Sequence, residues 1–226
     1  MESSSQSRPV KMSEKSEHSR TRLLDAAEVL FAEKGFRDTS VREITTAGAC
    51  NVAAINYHFK NKEILYREVY VRRIRQLREM RIAGIERVLS LGPEGTVEDL
   101  VRTFARTFLE PLVNAESGRL LIMLMTREMN EPRLSKELFF EEMVRPVQER
   151  LRGAIAVLCP GIDAESTDLS IQAMVGQLMF FIRMRELQQA HQGQLPAPPA
   201  MELFIEHLVR FSSAGIRAFA GKGAGA

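Results

Sequence analysis

Residues 39–59 read TSVREITTAGACNVAAINYHF, and this stretch decides the fold prediction for the N-terminal part of the chain. Ser40, followed three residues later by Glu43, forms a capping box that starts a helix over about 41–48. Asn51 can cap a second short helix over about 52–58, which leaves only a tight turn between the two. This pattern predicts a helix-turn-helix, although two packed helices of a larger bundle have the same spacing.

The rest of the chain also has a helical hydrophobic period, and its sequence contains no long alternating run typical of a strand. We expect a first helix over 20–34, ended by Gly35, and a long helix over about 61–89. Further helices are predicted over 96–114, 117–129, 134–158 with a kink at Pro146, 163–190 and 200–220. The predicted fold class is therefore all-α.

Composition excludes several classes of protein. With 226 residues, 45% of them hydrophobic and 27% charged, the chain can bury a core and is not disordered throughout. Cys50 and Cys159 are too few for a disulfide framework and have no neighbours at zinc-ligand spacing, so we expect no metal and no cofactor. Neither a membrane span nor a secretory signal is evident, and the expected location is cytoplasmic.

Positive charge is concentrated near the N-terminus. Residues 1–80 contain 15 Lys and Arg against 11 Asp and Glu, whereas the remainder contains 16 against 18. The segment 60–81, which extends one residue further, contains eight basic residues. The N-terminal third is therefore the part that could bind a polyanion, although a basic helix face is often merely solvated.

Three segments carry a resemblance to a known family: LDAAEVLFAEKGF at 24–36, TSVREI at 39–44 and YHFKNKEIL at 57–65. Over about 20–68 the sequence closely resembles the DNA-binding domain of TetR-family transcriptional repressors. The resemblance implies three N-terminal helices with a helix-turn-helix, then a larger helical domain that dimerises and usually binds a small effector. We accordingly expect a disordered tail over 1–18, a DNA-binding domain over 19–79, an effector-binding and dimerisation domain over 80–220, and a frayed tail over 221–226.

A subgroup resemblance rests on fewer residues. The run at 51–57, the pair Arg127-Glu128 and the run at 144–147 are similar to TetR regulators of the CecR/CerR-like type. Two positions depart from the usual family pattern. Ala49 stands where glycine is usual in the turn, and Asn56 stands where many members have tyrosine.

The resemblance and the residue chemistry together suggest DNA contacts. Tyr57, His58 and Lys62 match backbone-contacting positions, and their polar groups can donate to phosphate. Asn56 can pair with adenine, and the methyl groups of small residues can pack on thymine. A capping or core role for His58 and plain surface roles for the others remain alternatives. The predicted DNA-binding residues are Thr39, Ser40, Arg42, Val52, Ala53, Asn56, Tyr57, His58 and Lys62, with Thr39 bonding a phosphate or only capping a helix.

The C-terminal domain is rich in Met and Phe, which suits either an adaptable ligand cavity or a plain packed core. Arg127 could anchor a ligand or form an internal ion pair. The expected effector-binding residues are Phe104, Phe108, Met123, Arg127, Phe180 and Met184. In the family the last two long helices form the dimer interface, for which we expect Gln172, Val175, Gly176, Met179, Phe204, Leu208 and Phe211.

The sequence therefore predicts a dimeric repressor that a small, largely apolar effector releases from a palindromic DNA operator. Within this class, an activator or a regulator without an effector remains open. A helical scaffold or adaptor protein is the alternative from another class. An enzyme is disfavoured, because the sequence has no recognisable nucleophile–base pairing or phosphate loop, and its four histidines are scattered at 18, 58, 191 and 207.

Overall fold

The computed structural model describes residues 14–113, 116–191 and 199–220, and every regular element within these ranges is a helix. This confirms the all-α prediction. None of the described helices combines the length and apolar character needed to cross a membrane. The predicted frayed tail at 221–226 and the first part of the predicted N-terminal tail lie outside the described residues.

The chain divides into two compact units. The first extends through Arg72 and also includes Met123–Pro132, whereas the second contains Arg73–Ile122 and the chain from Arg133 onward. This division falls after Arg72, inside the long helix, whereas the boundary expected from the sequence is near residue 80. A short segment from the middle of the sequence also belongs to the first unit.

The first unit is built from α1 (Glu14–Lys34), α2 (Val41–Ala47), α3 (Val52–Phe59) and the beginning of α4 (Lys62–Leu89). Asn61 caps α4, because its side-chain oxygen accepts from Ile64 N at 2.8 Å. Burying one large apolar side chain contributes roughly 1.5–3 kcal/mol. The core side chains, each no more than 1% exposed, are Leu23, Phe31, Ile44, Ile55, Phe59 and Leu65.

Helix α1 begins at Glu14, earlier than the predicted start near residue 20. Part of the segment expected to be disordered is thus helical. Long-range contacts account for the difference: Ser19 Oγ lies 2.8 Å from His58 Nε2, and Arg20 donates to Glu68 at 2.8 Å. Such contacts stabilise a helical turn that its own sequence does not favour.

The turn between α2 and α3 contains a residue in left-handed conformation. Ala49 has a φ of 47°, a region that glycine enters without strain. Arg22 donates to the carbonyl oxygen of Ala49 at 3.0 Å, and Gly48 N donates to Ile44 O at 2.9 Å. The turn therefore keeps its geometry through hydrogen bonds although alanine replaces the usual glycine.

The second unit contains the rest of α4, α5 (Val97–Val113), the first part of α6 (Glu116–Asn130) and the helices that follow. The latter are α7 (Lys136–Phe139), α8 (Arg145–Leu158), α9 (Ala164–Ala190) and α10 (Met201–Ala220). Helix α10 packs beside α5, where Arg102 pairs with Glu206 and Arg106 with Glu202. Apolar burial dominates this packing, because partly exposed ion pairs contribute only about 0–1 kcal/mol each.

The single helix predicted over 134–158 is divided in two. A π-helical turn, Phe140–Val144, separates α7 from α8, and Arg145 N donates to Phe140 O across it. Pro146 follows at the start of α8 and has no N–H with which to continue the helical hydrogen-bond pattern. The proline thus shifts the distortion to the turn before it.

We predict that Ala49→Gly raises the free energy of unfolding by roughly 1 kcal/mol, because glycine adopts a φ near 47° without a clashing Cβ. Ala47→Gly is the matched control, since Ala47 is exposed and lies in the last position of α2. That control should lower stability by about 0.5–1 kcal/mol. Urea denaturation measures the free energy of unfolding of both variants. An Ala49→Gly protein no more stable than Ala47→Gly would contradict the backbone strain at Ala49.

Candidate nucleic-acid interface

Helix α3 has an inner and an outer face. Ile55 and Phe59 are 1% exposed and fix the helix on the core of the first unit. The opposite face presents Val52, Ala53, Asn56 and Tyr57 to solvent, with Val52 49% and Tyr57 73% exposed. The small side chains at the beginning of α3 keep this face narrow, as entry into the ~12 Å wide major groove requires.

Helix α2, which contacts α3, begins with the predicted capping box. Ser40 Oγ accepts from Glu43 N at 3.1 Å, and Ser40 N donates to the Glu43 carboxylate at 2.8 Å. Lys34 at the end of α1 donates to the same carboxylate at 2.6 Å. The hydrogen bond from Lys34, followed by those from Ser40, lowers the pKa of Glu43 to about 2. The Ser40 hydroxyl is thus engaged in capping, while Arg42 remains exposed.

Lys62 is bound within the first unit. Its Nζ donates to the carbonyl oxygens of Phe36 and Thr39, both at 2.8 Å, and lies 4.2 Å from the centre of the Phe36 ring. The ammonium group therefore holds the connection between α1 and α2. A phosphate contact from Lys62 stays a prediction, and it would use the remaining donor capacity of this group.

Thr39 is 1% exposed, and its hydroxyl lies 3.1 Å from Leu30 O and 2.7 Å from Gly35 O. Of the two roles expected for this residue, this geometry fits the helix-capping one. A buried hydroxyl that donates to backbone carbonyls is not presented to a phosphate. We therefore leave Thr39 out of the DNA contacts that we propose.

His58 is half-buried beside α1. Ser19 Oγ donates to Ser16 O at 2.8 Å, and the tautomer of His58 that fits this arrangement has its N–H at Nε2, 2.8 Å from Ser19 Oγ. Desolvation, and then the positive charge of Arg20, lower the pKa of His58. A neutral His58 in this tautomer has no second N–H to donate to a phosphate.

Three arginines of the basic stretch at 60–81 are neutralised by ion pairs with carboxylates. Arg72 pairs with Asp25 at 2.8 Å and with Glu28 at 2.9 Å. Arg75 and Arg78 both pair with Glu142. The interpretation of this segment as a basic surface is therefore wrong for these three arginines. Arg42 and Lys60 are exposed cationic side chains close to α3 in the sequence.

Arg127 caps the C-terminal end of α1, a role that the sequence did not reveal. Its Nε donates to Ala32 O at 2.8 Å and a terminal nitrogen donates to Glu33 O at 2.6 Å. Gly35, with a φ of 84°, makes room for it, since a Cβ there would lie 2.9 Å from the guanidinium. The neighbouring Glu128 is buried and accepts from the Tyr66 hydroxyl at 2.8 Å. These contacts explain why Met123–Pro132 belongs to the first unit.

Comparison with known families agrees with this geometry. The family described as bacterial regulatory proteins, tetR family, matches residues 23–69. The C-terminal domain family of the HTH-type transcriptional dual regulator CecR matches residues 97–216, which is more than half of the chain. The chain belongs to the TetR family of transcriptional regulators. Its larger domain is of the CecR type, as the subgroup resemblance indicated.

Individual relatives of this TetR-family chain differ in how much they share with it. The HTH-type transcriptional dual regulator CecR of Shigella flexneri is 26% identical over 177 residues, which cover 75% of this chain and 78% of that protein. The regulator AcrR of the same organism is 30% identical over 115 residues, about half of each chain at 51%. A transcriptional regulator from Saccharomonospora viridis, solved in complex with choline, has a TM-score of 0.61 at 16% identity, covering 86% of this chain and 95% of that one.

The six residues expected to bind the effector belong to different units and differ in burial. Phe104 and Phe108 are buried on α5, with ring centroids 5.8 Å apart. Met123 and Arg127 belong to the first unit, and Arg127 caps α1. On α9, Met184 is half-buried, whereas Phe180 is 65% exposed and its neighbour Phe181 occupies the core instead. Arg127 and Phe180 therefore do not fit an internal ligand site of this TetR-family domain.

The residues expected at the TetR-family dimer interface fall into two groups. Gln172, Gly176 and Met179 lie exposed along α9, and Phe211 is 62% exposed on α10. Val175 is partly exposed. By contrast, Leu208 is fully buried and Phe204 stacks on Phe181 at 4.4 Å between centroids. Leu208 and Phe204 therefore pack beneath the exposed face of α9 and α10.

Among the residues that the structure describes, no cluster of three or more His, Cys, Asp or Glu side chains could hold a metal ion.

We predict that Lys62→Met lowers the free energy of unfolding by roughly 1–3 kcal/mol, because the carbonyl oxygens of Phe36 and Thr39 lose their donor. Lys60→Met is the control, since Lys60 is exposed, and it should leave stability within about 0.5 kcal/mol. Chemical denaturation gives both values. An unchanged stability in Lys62→Met would show that these two hydrogen bonds contribute nothing.

Proposed function

We propose that this TetR-family regulator is a dimeric repressor that binds a palindromic DNA operator and is released by a small effector. The observation that carries the DNA-binding part is the outer face of α3. Its exposed side chains are narrow or polar, and buried Ile55 and Phe59 fix the helix from behind. With DNA as its partner, the proposed location is the cytoplasm.

The proposed contacts divide into base readout and backbone binding. Asn56 can donate to and accept from adenine, and the methyl groups of Val52 and Ala53 can pack on thymine. The Tyr57 hydroxyl and the Arg42 guanidinium are exposed donors suited to phosphate oxygens. Ser40 and Lys62 stay candidate contacts, although each already makes a hydrogen bond within the first unit, whereas His58 would first have to give up its contact with Ser19.

We predict that Asn56→Ala relaxes the preference for one base pair in each half-site, at about 1–3 kcal/mol of discrimination, because a bidentate contact is lost. Tyr57→Phe is the matched control. It removes one phosphate donor and should weaken binding to all sequences about equally. Site selection from random DNA, followed by titration of single-base variants, measures both effects.

An Asn56→Ala protein with unchanged base preference would contradict the assigned contact. A wild-type protein that binds all sequences equally would instead favour the scaffold alternative. Transcription from a reporter under the selected operator then distinguishes repression from activation. This distinction matters because the relative CecR is named a dual regulator.

The proposed dimer uses α9 and α10. These two helices contact each other and expose large apolar side chains, and a large exposed apolar patch marks an interaction site. Gly176 and Gly215 leave open space at their Cβ positions, so a partner helix can approach closely. The exposed apolar residues on the two helices are Leu169, Met179, Phe180, Leu203, Phe211 and Phe219. A two-fold dimer would place its half-site centres about 34–36 Å apart.

We predict that the wild-type protein has about twice the 25.5 kDa monomer mass in light scattering at micromolar concentration. The double variant Phe180→Asp with Phe211→Asp should be monomeric, because it buries charge in the proposed interface. Val157→Asp is the control: Val157 is 68% exposed but lies on α8. Equal masses for the wild type and the double variant would contradict this interface.

The effector part of the proposal rests on the second unit. Its helices enclose a Met- and Phe-containing core much larger than a DNA-binding unit needs for dimerisation alone. The relative from Saccharomonospora viridis was solved with choline, which supports ligand binding by this kind of domain. An effector that releases DNA must bind the DNA-free arrangement better, and typical couplings are about 5–150-fold. Operator DNA must then weaken the effector by the same factor in a titration.

A further inference from the structure

Arg81 is a buried cation in the second unit. It lies on α4 and is only 6% exposed. Its guanidinium carbon is 4.0 Å from the centre of the Phe108 ring, and one terminal nitrogen is 3.8 Å from the Met143 sulfur. Its Nε has no hydrogen-bond partner in the described part of the chain. The surroundings of this charge are thus an aromatic ring and a thioether.

The neighbouring arginines on the same helix are different. Arg75, Arg78 and Arg81 are spaced three residues apart, so each is a neighbour of the next along α4. Arg75 donates twice to the Glu142 carboxylate, at 2.8 and 2.6 Å, and Arg78 donates to it at 3.2 Å. Over the described residues, no carboxylate lies within ion-pairing distance of Arg81. The third member of this row is the one without a counter-charge.

Burial of an unpaired charge is costly, and proteins normally pair such groups. Desolvation lowers the pKa of Arg81 to about 9, so the group still carries its proton at neutral pH. The Phe108 ring offsets part of the desolvation through a cation–π contact. A fixed cation with free donor capacity among apolar side chains is ready to receive an anion.

The backbone near Arg81 also departs from regular structure. Met143 belongs to the π-helical turn Phe140–Val144, which places both Met143 and Glu142 against the arginine row of α4. Single π-turns inside α-helices are rare and occur frequently at functional sites. The turn is thus a second feature that distinguishes this part of the second unit from a regular helical core.

We propose that Arg81 binds the carboxylate of an amphipathic monocarboxylic acid whose apolar part lies against Phe104, Phe108 and Met143. This inference rests on the proposed function, because it assigns a chemical class to the effector. One guanidinium supplies one positive charge and a planar pair of donors, which matches a single carboxylate. The engagement of Arg75 and Arg78 by Glu142 leaves no further cation of this row for a dianion.

The experiment uses the full chain without DNA. Decanoate and 4-phenylbutyrate are titrated calorimetrically, each beside its own primary amide, which has similar shape but no charge. For the wild type we expect each carboxylate to bind at least about tenfold more tightly than its amide, as a charge-assisted hydrogen bond implies. Carboxylates that bind no more tightly than their amides would overturn the proposal.

Three variants identify the residue responsible. Arg81→Met keeps the length and packing of the side chain but removes the charge, and it should abolish the carboxylate preference. Arg75→Met removes a charge from the same helix and should keep that preference. Thermal unfolding of Arg81→Met should show no loss of stability, since an unpaired buried cation is removed. If Arg81→Met does not fold, Arg81→Gln decides by the same comparison.

Operator binding by the ligand-free protein is measured separately. Specific DNA binding without a carboxylate preference would overturn this inference and leave the proposed DNA-binding function intact. A carboxylate preference that Arg81→Met removes, in a protein that binds no operator, would support the role of Arg81 and overturn the proposed DNA-binding function. A preference retained in Arg81→Met would assign the anion to another residue and overturn the role of Arg81.

Discussion

The carbonyl oxygens at the end of α1 and in the connection to α2 need hydrogen-bond donors, and the DNA-binding unit is organised around meeting that need. The last turn of any α-helix leaves its carbonyl groups without intrahelical partners. Here Arg127 donates to Ala32 O and Glu33 O, and the Thr39 hydroxyl lies against Leu30 O and Gly35 O. Lys62 donates to Phe36 O and Thr39 O. The position of α2, and through it that of α3, depends on these donors.

The local parts of this structure could be predicted from sequence. The capping box at Ser40 and the Asn51 cap act within three residues, so α2 and α3 begin where their sequences indicate. The π-turn was foreseen only as a kink, because Pro146 signals that a helix must distort without specifying on which side. The early start of α1 was not predictable, since it depends on His58 and Glu68 far along the chain.

The functional assignments that failed share a physical cause. Arg72, Arg75 and Arg78 read as a basic surface, but whether an arginine faces solvent or a carboxylate is decided by tertiary contacts. For apolar residues, too, tertiary contacts decide which side chain is buried: Phe180 is exposed and its neighbour Phe181 is buried. Helix α9 carries apolar side chains around its whole circumference, so the sequence does not show which phenylalanine points inward. By contrast, the exposed face of α3 could be inferred from the sequence, because the helix is short and its buried positions are Ile55 and Phe59.

The inclusion of Met123–Pro132 in the first unit has a consequence for protein engineering. A fragment ending near Arg72 would contain every helix of the DNA-binding motif but neither Arg127 nor Glu128. The end of α1 would lose its charged cap, and the Tyr66 hydroxyl would lose the carboxylate that it contacts. A chimera that joins these N-terminal helices to another regulator's effector domain would inherit the same defect. The DNA-binding unit of this protein therefore cannot be exchanged as one continuous segment. The segment Met123–Pro132 must be exchanged together with the N-terminal helices.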